Sequence, residues 1–300
     1  MAKRYKNGAF DYFNICIMIL ISFIMLYPFW YVLIVSLNDN SVMSYIKLSF
    51  LPSAVTFKNY EVIFTTHAIV NGFVISILRT VVGTTLAILA NAALAFGLSN
   101  KTLIGRKYLL VILTIPMFFG GGLIPSYMLW KALHLTNTFL LYFVPGIIAP
   151  FTVIVMKTYF SSTIPASIQE SAKVEGANEI YIFLRLVLPM STPMLAAFAL
   201  FAAVGQWNDW ATAEFFIKNR ALHPLATVLR RLIFQQELVQ NMSAMQQGQQ
   251  GMLKPGKRDI IQAESVKMAA IMVTVLPIIM IYPFLQKYFI HGMMIGSIKE

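Results

Sequence analysis

The 300-residue chain is 58% hydrophobic and only 12% charged, against roughly 25% charged in soluble globular domains. An ordinary soluble domain is excluded. The formal net charge of +11 lies largely beside apolar runs, where Lys and Arg report topology rather than a nucleic-acid partner.

Six windows lack Asp, Glu, Lys and Arg: 12–38, 80–100, 108–130, 132–156, 186–208 and 268–286. Each is long enough for a helix to cross a hydrocarbon core of about 30 Å. Their unbroken apolarity excludes a membrane β-barrel, whose strands alternate. The predicted fold is an all-α integral membrane protein of six transmembrane helices, with kinked or interrupted spans, in one domain covering 1–300. The spans are placed at about 12–38, 72–100, 107–130, 138–158, 186–210 and 265–288, with a cytoplasmic connection at 160–189 and an outer loop at 211–263.

Lys3, Arg4 and Lys6 precede the first span. Its apolar run is too long for a signal peptide and no small-residue cleavage site follows, so a retained anchor is predicted. Cys16 has no partner cysteine, which excludes disulfides and leaves the redox compartment open. Lys101, Arg106 and Lys107 follow the second span, whereas the 39–71 loop balances Lys47 and Lys58 against Asp39 and Glu61. This places both termini, the 2–3 turn and the 4–5 connection in the cytoplasm. The basic outer loop runs against the rule, but at about 50 residues it nears the length at which the rule loses force.

Within the first outer loop, "LPSAVTFKNY" reads as a turn-like stretch. The second span carries Arg79 at its start, expected at the interface or snorkelling toward it. Gly83, Ala87 and Asn91 follow at helical spacing. That stripe suits close helix packing, and Asn91 can serve either packing or a pore lining. "PMFFGGGLIP" makes the third span a poor helix, and irregular backbone at membrane depth survives only inside protein or along a cavity. Pro145, Pro150, Pro277 and Pro283 add kinks to the fourth and sixth spans, which suits a wall around a path. The fifth ends in "VGQWNDWATAEFF", where Trp207 and Trp210 fit an outer aromatic belt. Asn208 and Asp209 there serve either as a helix cap or as contacts to a polar substrate or docking partner. Tyr127, Asn91, Trp207, Asn208 and Asp209 are the candidate path residues. Beyond them, Leu225, Val228, Leu229 and Leu232 form an apolar stripe at 3–4 spacing, followed by a Gln-rich, mobile stretch at about 235–250.

Chemical motifs are sparse. "GMLKPGK" matches seven positions of a phosphate-binding loop, but Arg258 stands where a Ser or Thr must hold Mg²⁺. His67, His134, His223 and His291 are scattered without ligand spacing, and "NMS" at Asn241 reads as an accidental glycosylation match. No enzyme is predicted.

The 160–189 connection differs from its surroundings. "IQESAKVEGANEIYIFLRLVLP" places Glu170, Lys173, Glu175, Glu179 and Arg185 between apolar spans. Ser167 and Glu170 read as a capping box, which predicts a helix from 168 to 175 ending at Gly176 in a left-handed cap. Ile168, Ser171, Ala172 and Glu175 are expected to share a small-residue face that admits another surface. A second helix is expected from about Asn178. The large apolar and basic faces of a lipid-surface helix are missing.

"ESA" at 170–172, Gly176 and "LVLP" at 186–189 resemble the EAA loop of permease subunits in type I ABC importers. Ser171 for Ala and Leu186 for Ile depart mildly from that pattern. "GGLIPSYMLW", "LTNTFLLYFVPG", "QWNDW", "HPLATVLRRL" and "YPFLQKYFIHGMMIGSIKE" resemble the second permease of maltose-type carbohydrate importers, and more narrowly the branch for complex, often acidic, oligosaccharides. The resemblance implies that Glu170, Ser171, Ala172 and Gly176 couple to an ATPase groove, with Lys299 as a secondary contact. It also implies a heterodimer with a second permease, two ATPase subunits that hold the ATP and Mg²⁺, an external binding protein and a bacterial cytoplasmic membrane. A permease for another small solute, and a membrane enzyme acting on lipid-linked sugars, are the alternatives. The basic outer loop suits anionic sugars or an acidic binding protein equally.

Overall fold

A computed structural model describes residues 8–38, 51, 54–246, 264–281 and 283. They are mostly helical, with no strand among them; Asn38 and Val55 form an isolated antiparallel bridge. The chain falls into two compact units, 1–67 with 231–276 and 68–230 with 277–300.

In the first unit, α1 (Ala9–Leu37) runs unbroken through Pro28. Its apolar side chains are exposed along most of its length, and burial is confined to Ile34, Val35 and Ser36. Helix α2 (Lys58–Thr65) begins in the last three residues of the stretch read as a turn. It ties to the end of α1 through a 2.7 Å hydrogen bond between the Ser36 and Tyr60 hydroxyls. The Asn59 amide donates to the carbonyls of Ser36 at 2.9 Å and Asn38 at 3.2 Å.

The second unit is built on α3 (His67–Ser99). At 33 residues and 1.5 Å per residue it is about 50 Å long, more than the hydrocarbon core requires. It begins five residues before the predicted start, and Arg106 Nε covers the Leu98 carbonyl near its end at 2.7 Å. The third span is broken as expected: α4 (Arg106–Phe118) and α5 (Leu123–Ala132) are separated at residues 119–122.

The fourth span departs from expectation. A continuous helix over 138–158 is replaced by a 3-10 turn at Phe139–Tyr142, irregular backbone to 149, and α6 (Pro150–Thr163). Pro145 and Gly146 do more than kink this segment. Pro150 starts the helix at the first position, where its missing N–H is harmless.

Helix α7 (Ala166–Val174) is followed by α8 (Glu179–Ile182), a π-helical turn (Phe183–Val187), α9 (Leu188–Met190) and α10 (Thr192–Asn208). Between Glu179–Met190 and Thr192–Asn208 the axis bends by 83°. Pro189, Pro193 and the π turn account for the bend, since each breaks the regular hydrogen-bond ladder. Beyond it lie α11 (Ala211–Phe216) and α12 (Leu225–Gln246). Leu225 and Leu229 of the predicted stripe are buried, whereas Leu232 is 37% exposed. Helix α12 continues into the Gln-rich stretch as far as Gln246; residues 247–263 lie outside the described ones. The last described helix is α13 (Glu264–Ile281).

Among the described residues, α1, α3 and α13 are long and apolar enough to cross a membrane, and the bent pair adds a fourth if it counts as one span. The six predicted spans are therefore not six continuous helices. One core joins Ala92, Ala95 and Leu98 of α3 to Val153, Met156 and Phe160 of α6, with Ile182 and Val187 against them. A second gathers Ile75, Leu141, Tyr142, Ala213 and Ile217.

Candidate functional site

Helix α7 starts two residues earlier than predicted. Pro165, with φ −60° and ψ 133°, is its N-cap, so Ser167 lies inside the first turn and the predicted capping box is absent. The rigid proline ring fixes the chain's approach to the helix in place of a side-chain cap. The stop is as expected: Gly176 has φ +86°. Its N–H bonds the Lys173 carbonyl at 3.0 Å and the Ala177 N–H bonds the Ala172 carbonyl at 2.9 Å. This is a Schellman closure, with the left-handed residue where glycine fits best. The Asn178 side chain then caps α8 by accepting from the Tyr181 N–H at 2.8 Å.

The predicted shared face divides. Ala172, together with Ala177, packs on the chain's own core, while Ile168, Ser171 and Glu175 are exposed, as is Glu170 beside them. Val174 is 90% exposed at the tip. Sequence periodicity missed it, because an exposed valine looks like any apolar helix position. Lys173 pairs with Glu179 at 2.6 Å, both well exposed, which contributes little stability. A cavity of about 710 Å³ lies beside α7, lined among others by Asn100, Lys101 and Thr102 of the 2–3 turn and by Gln169 and Glu170. Lys299 lies outside the described residues.

The candidate path residues are dispersed. Asn91 is 2% exposed, and its amide donates to the carbonyls of Ala87 at 2.6 Å and Ile147 at 2.8 Å. Its oxygen accepts from the Ala149 N–H at 2.8 Å. The bonds to Ile147 and Ala149 thus hold the irregular backbone before α6 against α3, and the one to Ala87 stays within α3. Asn91→Ala would orphan two of those backbone groups at about 1–3 kcal/mol each; the expected outcome is a lower unfolding temperature in detergent, read from a thermal melt. Trp207 does not face an aromatic belt: it is 7% exposed and meets Phe73 edge-on at 5.9 Å. Asn208 is exposed. Tyr127, 38% exposed, stacks on Phe216 with ring centroids 6.2 Å apart.

Asp209 belongs to a buried polar cluster. Arg79 is only 1% exposed rather than snorkelling, and its Nη2 lies 2.7 Å from Asp209 Oδ2. Nη1 donates to the Asp209 carbonyl at 2.8 Å, and Nε and Nη2 donate to Gln206 Oε1 at 3.2 and 3.0 Å. The guanidinium sits 4.1 Å from the Tyr142 ring centroid. Asp209 Oδ1 accepts from the N–H groups of Ala211 and Thr212 at the start of α11, at 3.0 and 3.1 Å. Gly83 permits this arrangement, because a Cβ there would come within 2.9 Å of the Gln206 amide nitrogen. Both carboxylate oxygens of Asp209 are therefore engaged within the chain. Arg79 and Asp209 are 130 positions apart, a separation at which sequence spacing gives no signal. Among the described residues, no group of three or more His, Cys, Asp or Glu side chains could hold a metal ion.

Residues 83–295 match the family described as binding-protein-dependent transport system inner membrane component. The chain belongs to this family. It is a membrane transport permease, not an enzyme. The polygalacturonan/rhamnogalacturonan transport system permease protein YtcP of Bacillus subtilis is 32% identical to this permease over 98% of this chain and 99% of its own length. Protein LplC of the same organism is 35% identical over 100% and 98%. A crystal structure of a bacterial ABC transporter involved in import of the acidic polysaccharide alginate matches the fold with a TM-score of 0.81 at 24% identity, covering 93% of this chain and 96% of that one.

Proposed function

We propose that this permease forms, with a second homologous permease, the path through which an ATP-driven importer moves a sugar or oligosaccharide delivered by an external binding protein. Uronate-containing oligosaccharides are the favoured class. The observation that carries this is the full-length similarity to a Bacillus subtilis permease named for polygalacturonan and rhamnogalacturonan transport. The importer lies in a bacterial cytoplasmic membrane with both termini of this chain in the cytoplasm. Two separate ATPase subunits bind ATP and Mg²⁺. They receive α7, with Glu170, Ser171, Ala172 and Gly176 as the coupling residues and Lys299 as a further contact. ATP closes the ATPase pair, α7 carries that displacement into the bent α8–α10 segment, and the path opens alternately to each side.

Lys131, Lys218, Arg220 and Arg230 are exposed on the predicted outer side, and Arg230 lies over the Trp210 ring at 3.1 Å from its centroid. A cationic surface raises the local concentration of anionic sugars, most strongly at low ionic strength. A binding panel of neutral and uronate oligosaccharides on the partner binding protein, followed by ligand-stimulated ATP turnover of the assembled complex, tests the assignment. Stimulation by neutral sugars alone would overturn the uronate class, and none by any sugar would overturn carbohydrate transport. Lys218→Glu with Arg220→Glu is expected to cut uronate uptake at least ~5-fold at low salt, with a smaller effect at high salt. An equal loss for neutral and anionic sugars would instead assign these cations to docking of the binding protein.

A further inference from the structure

The chain from α7 to Asp209 has a short turn at one end and a fixed anchor at the other. Residues 175–178 connect α7 to α8 and Lys173 pairs with Glu179 across that turn, so a displacement of α7 enters α8 with little slack. The 83° bend lies between Met190 and Thr192. At it, Ser191 is buried and its hydroxyl has no hydrogen-bond partner among the described residues. At the far end of α10, Arg79 holds Gln206 and Asp209 through four hydrogen bonds. Arginine cannot shed its proton to escape burial, so this attachment stays charged and directional.

We propose that Arg79 and Asp209 are positioning residues that hold the outer end of α10 still, so that displacement entering through α7 is taken up at Ser191. The inference rests on the coupling role given to α7 above. Without the anchor, α10 moves as a rigid rod and the bend angle is conserved. With it, the bend angle changes and the outer corner of α10 and α11 keeps its place.

Distances between spin labels test this in the fully assembled importer, with Cys16→Ser as background. One pair, Leu184→Cys with Phe201→Cys, spans the bend at sites 50% and 64% exposed. The other, Val81→Cys with Asn208→Cys, spans the anchor at exposed sites. On trapping the ATP-bound state, the first distance is expected to change and the second to hold. An anchor-spanning change as large as that across the bend overturns the proposal and leaves the coupling role of α7 standing. If neither distance responds while ATP is hydrolysed, the coupling role falls and the proposal with it. Arg79→Gln with Asp209→Asn removes both charges and keeps hydrogen-bonding groups. In that background the anchor pair is expected to move and sugar carried per ATP to fall about tenfold. Both label pairs behaving as in the charged protein would overturn the proposal.

Discussion

Glu170→Ala and Gly176→Asn are each expected to reduce uptake at least tenfold while membrane level and insertion stay unchanged. Glu170 is exposed beside the cavity next to α7 and makes no ion pair among the described residues, so its removal takes nothing from the core they form. Its loss is therefore expected to appear in docking: a tenfold weaker attachment of the ATPase corresponds to about 1.4 kcal/mol. Gly176 separates two explanations. A Cβ at 176 would meet nothing within 4 Å, so the chain itself has room for a side chain. The left-handed conformation disfavours most residues, but asparagine adopts it readily. If glycine serves only the turn, Gly176→Asn retains uptake; if a partner approaches closely there, uptake is lost although α7 folds. Copurification of the ATPase with each variant, against membrane level by immunoblot, is the measurement. Normal uptake by both variants would remove α7 from the coupling mechanism.

Asp209→Ala is expected to be more destabilising than Arg79→Ala, which reverses the usual expectation for the larger side chain. Removing Asp209 leaves a guanidinium at 1% exposure without its counter-ion and takes the cap from α11. Breaking a buried pair in this way costs about 3–5 kcal/mol, a large share of the 5–15 kcal/mol of a typical domain. Removing Arg79 leaves a carboxylate at 27% exposure, which water reaches and which still caps α11. Arg79→Gln with Asp209→Asn should recover much of the loss, because no unpaired charge stays buried. Thermal melts of the three purified variants check the ranking. Equal melting temperatures for the two alanine variants would show that burial of the guanidinium is not the dominant cost.

The features legible in the sequence were local ones. Gly176 and Asn178 announced a stop and a start because each acts on backbone within three residues of itself. The break in "PMFFGGGLIP" was visible for the same reason. Ser167 misled, since Pro165 two residues earlier already set where α7 begins. Pro145 and Pro150 read as kinks in a long helix, yet Asn91 supplies hydrogen bonds that let the backbone around 147–149 leave the helix altogether. Trp207 and Asp209 carried a polar-interface signature, but their partners Phe73 and Arg79 lie on a helix more than a hundred residues away. Which of several apolar or polar residues meets which is decided by packing between distant segments, and spacing within one segment does not contain it.

The gap at residues 119–122 also bears on how the chain enters the bilayer during synthesis. Helices α1 and α3 are complete apolar spans and can partition into lipid one at a time as they leave the ribosome. Neither α4 at 13 residues nor α5 at 10 reaches the length of about 20 that a lone helix needs, and the glycines between them leave backbone groups that lipid cannot satisfy. These two pieces and the 14-residue α6, whose Val153, Met156 and Phe160 pack on α3, are therefore expected to enter the bilayer together rather than one at a time.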